Sequence, residues 1–245
     1  MLFVKKMGRL GFIIFLLSTL LQTVLLADEP SLPRKEEYLK PISIALKVDW
    51  PKNKTVNIVC HGHSVPSGYF QTPLVDTFNA YPHLLHRGLK ERFEFAVINV
   101  IVTGIGGDAS ESGASRFVSD VLNHKPDLIT IDYGLNDRGI GLERAKVAWE
   151  SMIVAALSSK IPLILLTPTP DQSSKLNDPQ DPLNQHAKQI VELANKYHLA
   201  LVDSLELFKA EISKGTSLPD LMSQINHPNR KGHDIVAAGL LSWFP

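Results

Sequence analysis

Four short segments carry side chains able to do chemistry, each of a different kind. In His61-Gly62-His63-Ser64 a hydroxyl follows a glycine that permits a tight turn, which suits a nucleophile. The segment is not the G-x-S-x-G elbow of α/β-hydrolases, because Pro66 stands where its second glycine would be. Thr103-Gly104-Ile105-Gly106-Gly107-Asp108 is glycine-rich and can bring backbone N–H groups close to a ligand near a helix N-terminus. In Gly134-Leu135-Asn136-Asp137, the Asn136 amide can aim a neutral N–H at a developing negative charge. In Asn226-His227-Pro228-Asn229, His227 titrates near neutrality and suits a general base, with Pro228 at the expected start of a helix. Taken singly, each segment also fits a structural role: a turn serine, a flexible strand-to-helix turn, an Asx turn, a capping histidine. Taken together they supply a nucleophile, oxyanion donors and a base.

Such a set works only if the fold gathers it, and the hydrophobic pattern says how. Short aliphatic runs at 56–60, 95–102, 128–132, 162–166 and 199–202 are nearly unbroken, as expected for parallel strands buried on both faces. Helical patterns lie between them, over 81–93, 114–122, 145–156, 183–194 and 234–244. Five strand–helix alternations predict an α/β fold with a five-stranded parallel sheet covered by helices on both faces. Ligands in such sheets bind at the carboxyl ends of the strands. The four segments each fall at, or just downstream of, the carboxyl end of a different expected strand.

The remaining composition narrows the class. Lys and Arg together number 25, equal to Asp and Glu, so no basic excess points to nucleic acid as a partner. The single cysteine, Cys60, excludes an intramolecular disulfide framework and a multi-thiolate zinc site; ending an apolar run, it reads as core packing. Residues 1–27 carry Lys5, Lys6 and Arg9 ahead of an apolar stretch that ends at Asp28-Glu29-Pro30, the pattern of a secretory signal. An uncleaved N-terminal anchor is the rival reading, because the stretch is long enough to span a bilayer. Either one places the body outside the cytoplasm, with no membrane contact unless the segment is retained. Without the segment, 22 basic residues face 25 acidic ones. Residues 28–50 are rich in proline and charge and read as a linker, with an edge strand over 42–48. The body of the domain is then 51–245.

The four blocks in this order resemble the SGNH hydrolase superfamily, also called the GDSL esterase/lipase family. The matches are Ser64, Gly107, Asn136 and His227, in blocks spanning 56–233. The resemblance implies a three-layer α/β/α, flavodoxin-like domain with serine esterase activity. It also implies Ser64 and His227 as catalytic residues and an oxyanion hole built from Ser64, Gly107 and Asn136. No metal or organic cofactor is implied. Exported members resembling this chain remove acetyl groups from carbohydrates, so the expected partner is a small-molecule or carbohydrate ester. The mild acidity and the lack of a long exposed apolar run agree with small acyl groups.

Two departures stand out. His63 occupies the position before the serine where the family has Asp, and Gln224 the position three before the histidine where the family has the orienting Asp. Gln224, Asp220 or a backbone carbonyl is left to orient the imidazole. Two other kinds of function compete: a metal site drawing on His61, His63, His83, His86, Asp137 or His227, and a glycan-binding protein that has lost catalysis. Within the hydrolases, a lysophospholipase or thioesterase is the alternative.

Overall fold

The computed structural model describes residues 31–245. The segment 1–27, read as a signal or anchor, lies outside the described residues. None of the described helices is long and apolar enough to cross a membrane.

Five parallel strands form one sheet: β1 (Thr55–Gly62), β2 (Val97–Val102), β3 (Leu128–Asp132), β4 (Leu163–Leu166) and β5 (Ala200–Val202), in the spatial order β2-β1-β3-β4-β5. This is the flavodoxin-like order, whose switch point lies where β1 is flanked by β2 and β3. The helices are α1 (Lys35–Tyr38), α2 (Lys40–Leu46), α3 (Ser64–Ser67), α4 (Tyr81–Arg92), α5 (Ser110–Ser115), α6 (Phe117–Asp120), α7 (Leu142–Ser158), α8 (Pro182–Lys196), α9 (Ser204–Ser213) and α10 (Arg230–Leu241).

Alternation along β1 sorts the core into two layers. Val56, Ile58 and Cys60 face a cluster with α2, α4, α9 and α10, whereas Val59 faces a second cluster with Phe117, α7 and the C-terminal half of α8. The three-layer α/β/α sandwich expected from the sequence is therefore the observed one. Cys60 is wholly buried in the first layer, and burial pushes its thiol up to about 12, which leaves it protonated and inert at neutral pH.

Two expectations fail. Residues 42–48 are not an edge strand: Leu39, Ile42 and Leu46 repeat at helical spacing, Pro41 sits in the first turn, and α2 with its N-cap Leu39 buries those three side chains against the core. The stretch expected as a linker is thus partly core. The single helix expected over 114–122 is broken at Arg116 into α5 and α6. The guanidinium there turns inward to bond the Thr103 carbonyl (2.6 Å) and the Tyr133 hydroxyl (2.8 Å).

Candidate active site

Ser64 is the first residue of α3, immediately beyond the carboxyl end of β1. The turn is tight enough that a side chain at Gly62 would stand 2.5 Å from the Asp132 carbonyl oxygen and 2.7 Å from Pro66 Cγ, so glycine is required by close approach. As the first helical residue, Ser64 has an N–H without a partner inside its helix.

His227 lies 163 residues further along the chain, yet its Nε2 is 2.9 Å from Ser64 Oγ. Its Nδ1 is 2.8 Å from the Phe70 carbonyl oxygen. A carbonyl can only accept, so the ring proton sits on Nδ1 and the Nε2 lone pair faces the serine hydroxyl, the tautomer a general base needs. Burial lowers the His227 pKa; the Phe70 carbonyl raises it in opposition, and His63 adds to the lowering. The imidazole is accordingly neutral at pH 7.

Of the three groups weighed as orienter, the backbone carbonyl of Phe70 holds the position. Gln224 is close, with Nε2 2.8 Å from His227 Nδ1, but its amide is committed elsewhere. Oε1 accepts from the Thr72 N–H at 3.0 Å, and Nε2 donates to Asn226 Oδ1 at 3.1 Å. Asp220 turns its carboxylate to Ser217 Oγ at 2.7 Å. The base loop closes through Ser223, which donates to the His227 carbonyl from N–H (2.9 Å) and hydroxyl (3.0 Å). Helix α10 begins at Arg230, capped by Asn229 rather than opened by Pro228. The Pro-rich loop after β4 braces this loop, since Gln172 donates to the carbonyls of Ile225 (2.8 Å) and Gln224 (3.1 Å).

On the other flank, the loop 103–108 lies directly against the serine turn. Thr103 N–H donates to the Cys60 carbonyl and Ile105 N–H to that of Gly62. Gly107 is exposed with φ of 82°, and the loop's own turn closes through Asp108 N–H to the Ile105 carbonyl. Asn136 opens the 3₁₀ turn after β3, and one of its amide N–H groups donates to the Asp108 carbonyl at 2.9 Å. The second and third blocks are therefore tied to each other. Tyr69 lies between the flanks: a side chain at Gly106 would be 3.0 Å from its Cζ, and its ring centroid is 6.1 Å from that of His227.

Charge supports this flank, half-buried around Arg116 and buried at Asp137. Arg116 reaches Asp108 (3.2 Å), Asp120 (3.1 Å), the Thr103 carbonyl and the Tyr133 hydroxyl. Asp137 accepts from Ser110 N–H and Trp149 Nε1, both at 2.7 Å. Burial raises the Asp137 pKa despite those two donors. Sequence reasoning missed Arg116 because an arginine inside an apolar helical pattern reads as a solvated face. It saw Asp137 only as a block member or a metal ligand.

The residues weighed for a metal do not converge. His61 is engaged at Nδ1 by Thr103 Oγ1 (2.8 Å) and at Nε2 by the Gly113 carbonyl (3.1 Å), and among the described residues no three such side chains cluster.

The GDSL-like lipase/acylhydrolase family model matches residues 60–235. An acetylxylan esterase of Geobacillus stearothermophilus is 23% identical over 156 residues, covering 59% of this chain and 71% of the relative. Among solved structures, a two-domain esterase active on acetylated mannans superposes with a TM-score of 0.69 at 22% identity. That match covers 85% of this chain and 52% of the esterase, so the chain spans about half of that two-domain protein. A variant of Axe2, an acetyl xylan esterase from Geobacillus stearothermophilus, superposes with a TM-score of 0.68 at 21% identity over 77% of this chain and 94% of Axe2.

Proposed function

The chain belongs to the GDSL-like lipase/acylhydrolase family and is a carboxylic ester hydrolase, and on that premise we propose that it removes small acyl groups, acetyl above all, from carbohydrate esters through an acyl-enzyme on Ser64. The observation that carries the reading is the 2.9 Å contact of His227 Nε2 with Ser64 Oγ, made by an imidazole whose other nitrogen is held by the Phe70 carbonyl.

Each step follows from that contact. Ser64 Oγ attacks the ester carbonyl carbon as its proton passes to His227 Nε2. Negative charge then collects on the former carbonyl oxygen. The Ser64 N–H, the Gly107 N–H and the second Asn136 amide N–H stabilise it, and these donors cost no reorganisation because the loops bearing them are already fixed. The imidazolium returns its proton to the departing sugar hydroxyl. Water, deprotonated by the neutral His227, then releases the acid. Neutrality of His227 at pH 7 suits both proton abstractions.

Preference for acetyl and for a carbohydrate is supported by the similarity to an acetylxylan esterase and to an esterase active on acetylated mannans. The N-terminal segment supports action outside the cytoplasm. The test is hydrolysis of 4-nitrophenyl esters of rising chain length, with acetate release from acetylated xylan and mannan, for wild type and Ser64→Ala. Rates should fall as the acyl chain lengthens, and Ser64→Ala should remove them all. A preference for octanoyl or longer esters would turn the assignment toward a lysophospholipase or thioesterase. A folded wild type inert on every ester, yet binding glycan, would overturn it.

A further inference from the structure

Asn136 and His227 reach the site on separate loops, and a run of bonds joins those loops. Asn136 and Arg138 share the 3₁₀ turn Asn136–Gly139 that follows β3. While Asn136 bonds the Asp108 carbonyl, Arg138 reaches the loop that follows β4. Its Nη2 donates to Asp171 Oδ2 at 2.7 Å, its Nε to the Leu135 carbonyl at 2.8 Å and its Nη1 to Ser174 Oγ at 3.3 Å. The residue after Asp171 is Gln172, whose backbone donates to the Ile225 carbonyl (2.8 Å) and whose side-chain amide donates to the Gln224 carbonyl (3.1 Å). His227 stands two residues beyond Ile225. The connection therefore leads from an oxyanion donor to the base.

The ion pair in the middle of it is a fixed joint. The Asp171 side chain is 7% exposed and that of Arg138 27%. Asp171 Oδ1 accepts from the N–H (2.8 Å) and the hydroxyl (2.5 Å) of Ser173, which fixes the plane of the carboxylate. Burial pushes the Asp171 pKa up, but the Ser173 and Arg138 bonds outweigh it and hold the group below the usual aspartate value, so it is ionised at pH 7. His186 is held down to about 4, by burial first and by Arg138 second, so it adds no positive charge that would compete for Asp171. Among the described residues Asp171 is the one carboxylate paired with Arg138.

We propose that Arg138 and Asp171 are positioning residues: their ion pair, passed on through Gln172, sets the His227 loop at a fixed offset from Asn136, so that base and oxyanion donor act on one ester carbonyl. The inference rests on the serine esterase reading. No proton is transferred at the pair and no covalent bond changes there. A base displaced by a fraction of an ångström from the donors leaves the ester bound as before but misaligns the transition state, so the loss falls on kcat and not on KM.

The test separates positioning from folding by counting sites. Asp171→Asn, Gln172→Ala and the double variant are titrated to completion with a fluorophosphonate, and kcat per titrated site and KM are measured on 4-nitrophenyl acetate. Asp171→Asn should lower kcat per site about tenfold and Gln172→Ala about threefold, each changing KM by less than about twofold. The double variant should lose little more than Asp171→Asn alone, because both substitutions break one connection. A pair that only stabilised the fold would reduce the number of titrated sites and leave kcat per site unchanged. That result, or losses that multiply in the double variant, would overturn the inference while leaving the esterase reading intact. A wild type that hydrolyses no ester would remove both. If Asp171→Asn does not fold, the exposed Gln172 side chain carries the test: a threefold fall in kcat per site is then expected, and an unchanged value overturns the inference.

Discussion

The two flanks of Ser64 are built differently. The oxyanion flank, residues 103–116 and 133–138, is held by charge: Arg116 gathers Asp108, Asp120 and two carbonyls, and Asp137 pins Ser110 to Trp149. The base flank, residues 222–229, is held around its histidine by neutral bonds, from the Phe70 carbonyl, the Thr72 and Ser223 N–H groups and the Gln172 and Gln224 amides. Breaking these half-buried ionic contacts leaves each partner short of its countercharge. Such a flank stays fixed while negative charge appears beside it. The Phe70 carbonyl favours the charged form of His227, but burial outweighs it, which suits a base that must be unprotonated before each turnover.

The largest effect should come from the two atoms on which both flanks converge. Ser64→Ala and His227→Ala are each expected to lower kcat by at least about 10⁴-fold, and the double variant by little more, because the pair acts as a unit. Additive losses would mean the two do not share a step. On the oxyanion flank, Asn136→Ala should lower kcat by about 10²–10³-fold. Part of that loss comes from freeing the Asp108 carbonyl, so Asn136→Asp, which keeps the side chain's size but offers no N–H, should lose as much. Arg116→Met should destabilise folding by about 1–2 kcal/mol in urea titration, since it leaves the Thr103 carbonyl without its donor and Asp108 with only the Ser112 hydroxyl. A neutral result would show that the charged buttress does not hold the flank.

Effects on the base flank are smaller and one has the opposite sign. Gln224→Asp adds the charge this flank lacks and should raise kcat about tenfold. A fall would mean that the Phe70 carbonyl tolerates no rival for the Nδ1 proton. The smallest effect is in the pH profile. Burial holds the His227 pKa below the ordinary histidine value of 6.5, and the base works unprotonated. The acid limb of kcat/KM should therefore have its midpoint below pH 6.5, with activity level through pH 7. A midpoint above 6.5 would show that the Phe70 carbonyl outweighs burial.

Local pattern and non-local register carry different parts of this site. The strand pattern was legible because runs such as 128–132 open on four aliphatic or β-branched residues in a row, and β3 spans the same five residues. The order of blocks placed Ser64 and His227 together before any distance was known. What stayed hidden depends on pairing between distant segments or on backbone atoms. The Phe70 carbonyl has no side-chain signature. The meeting of Arg138 with Asp171 depends on β3 and β4 pairing side by side, which no local motif records. The α2 helix was misread because proline and charge around it outweighed the helical spacing of Leu39, Ile42 and Leu46.

The central claim is that Ser64 is activated by His227 without a carboxylate on that histidine. Mass spectrometry of the protein after reaction with a fluorophosphonate tests it directly. One adduct per chain on the peptide containing Ser64 is expected, absent in Ser64→Ala and strongly slowed in His227→Ala. An adduct on a different residue, or ester hydrolysis that survives in Ser64→Ala, would contradict the account.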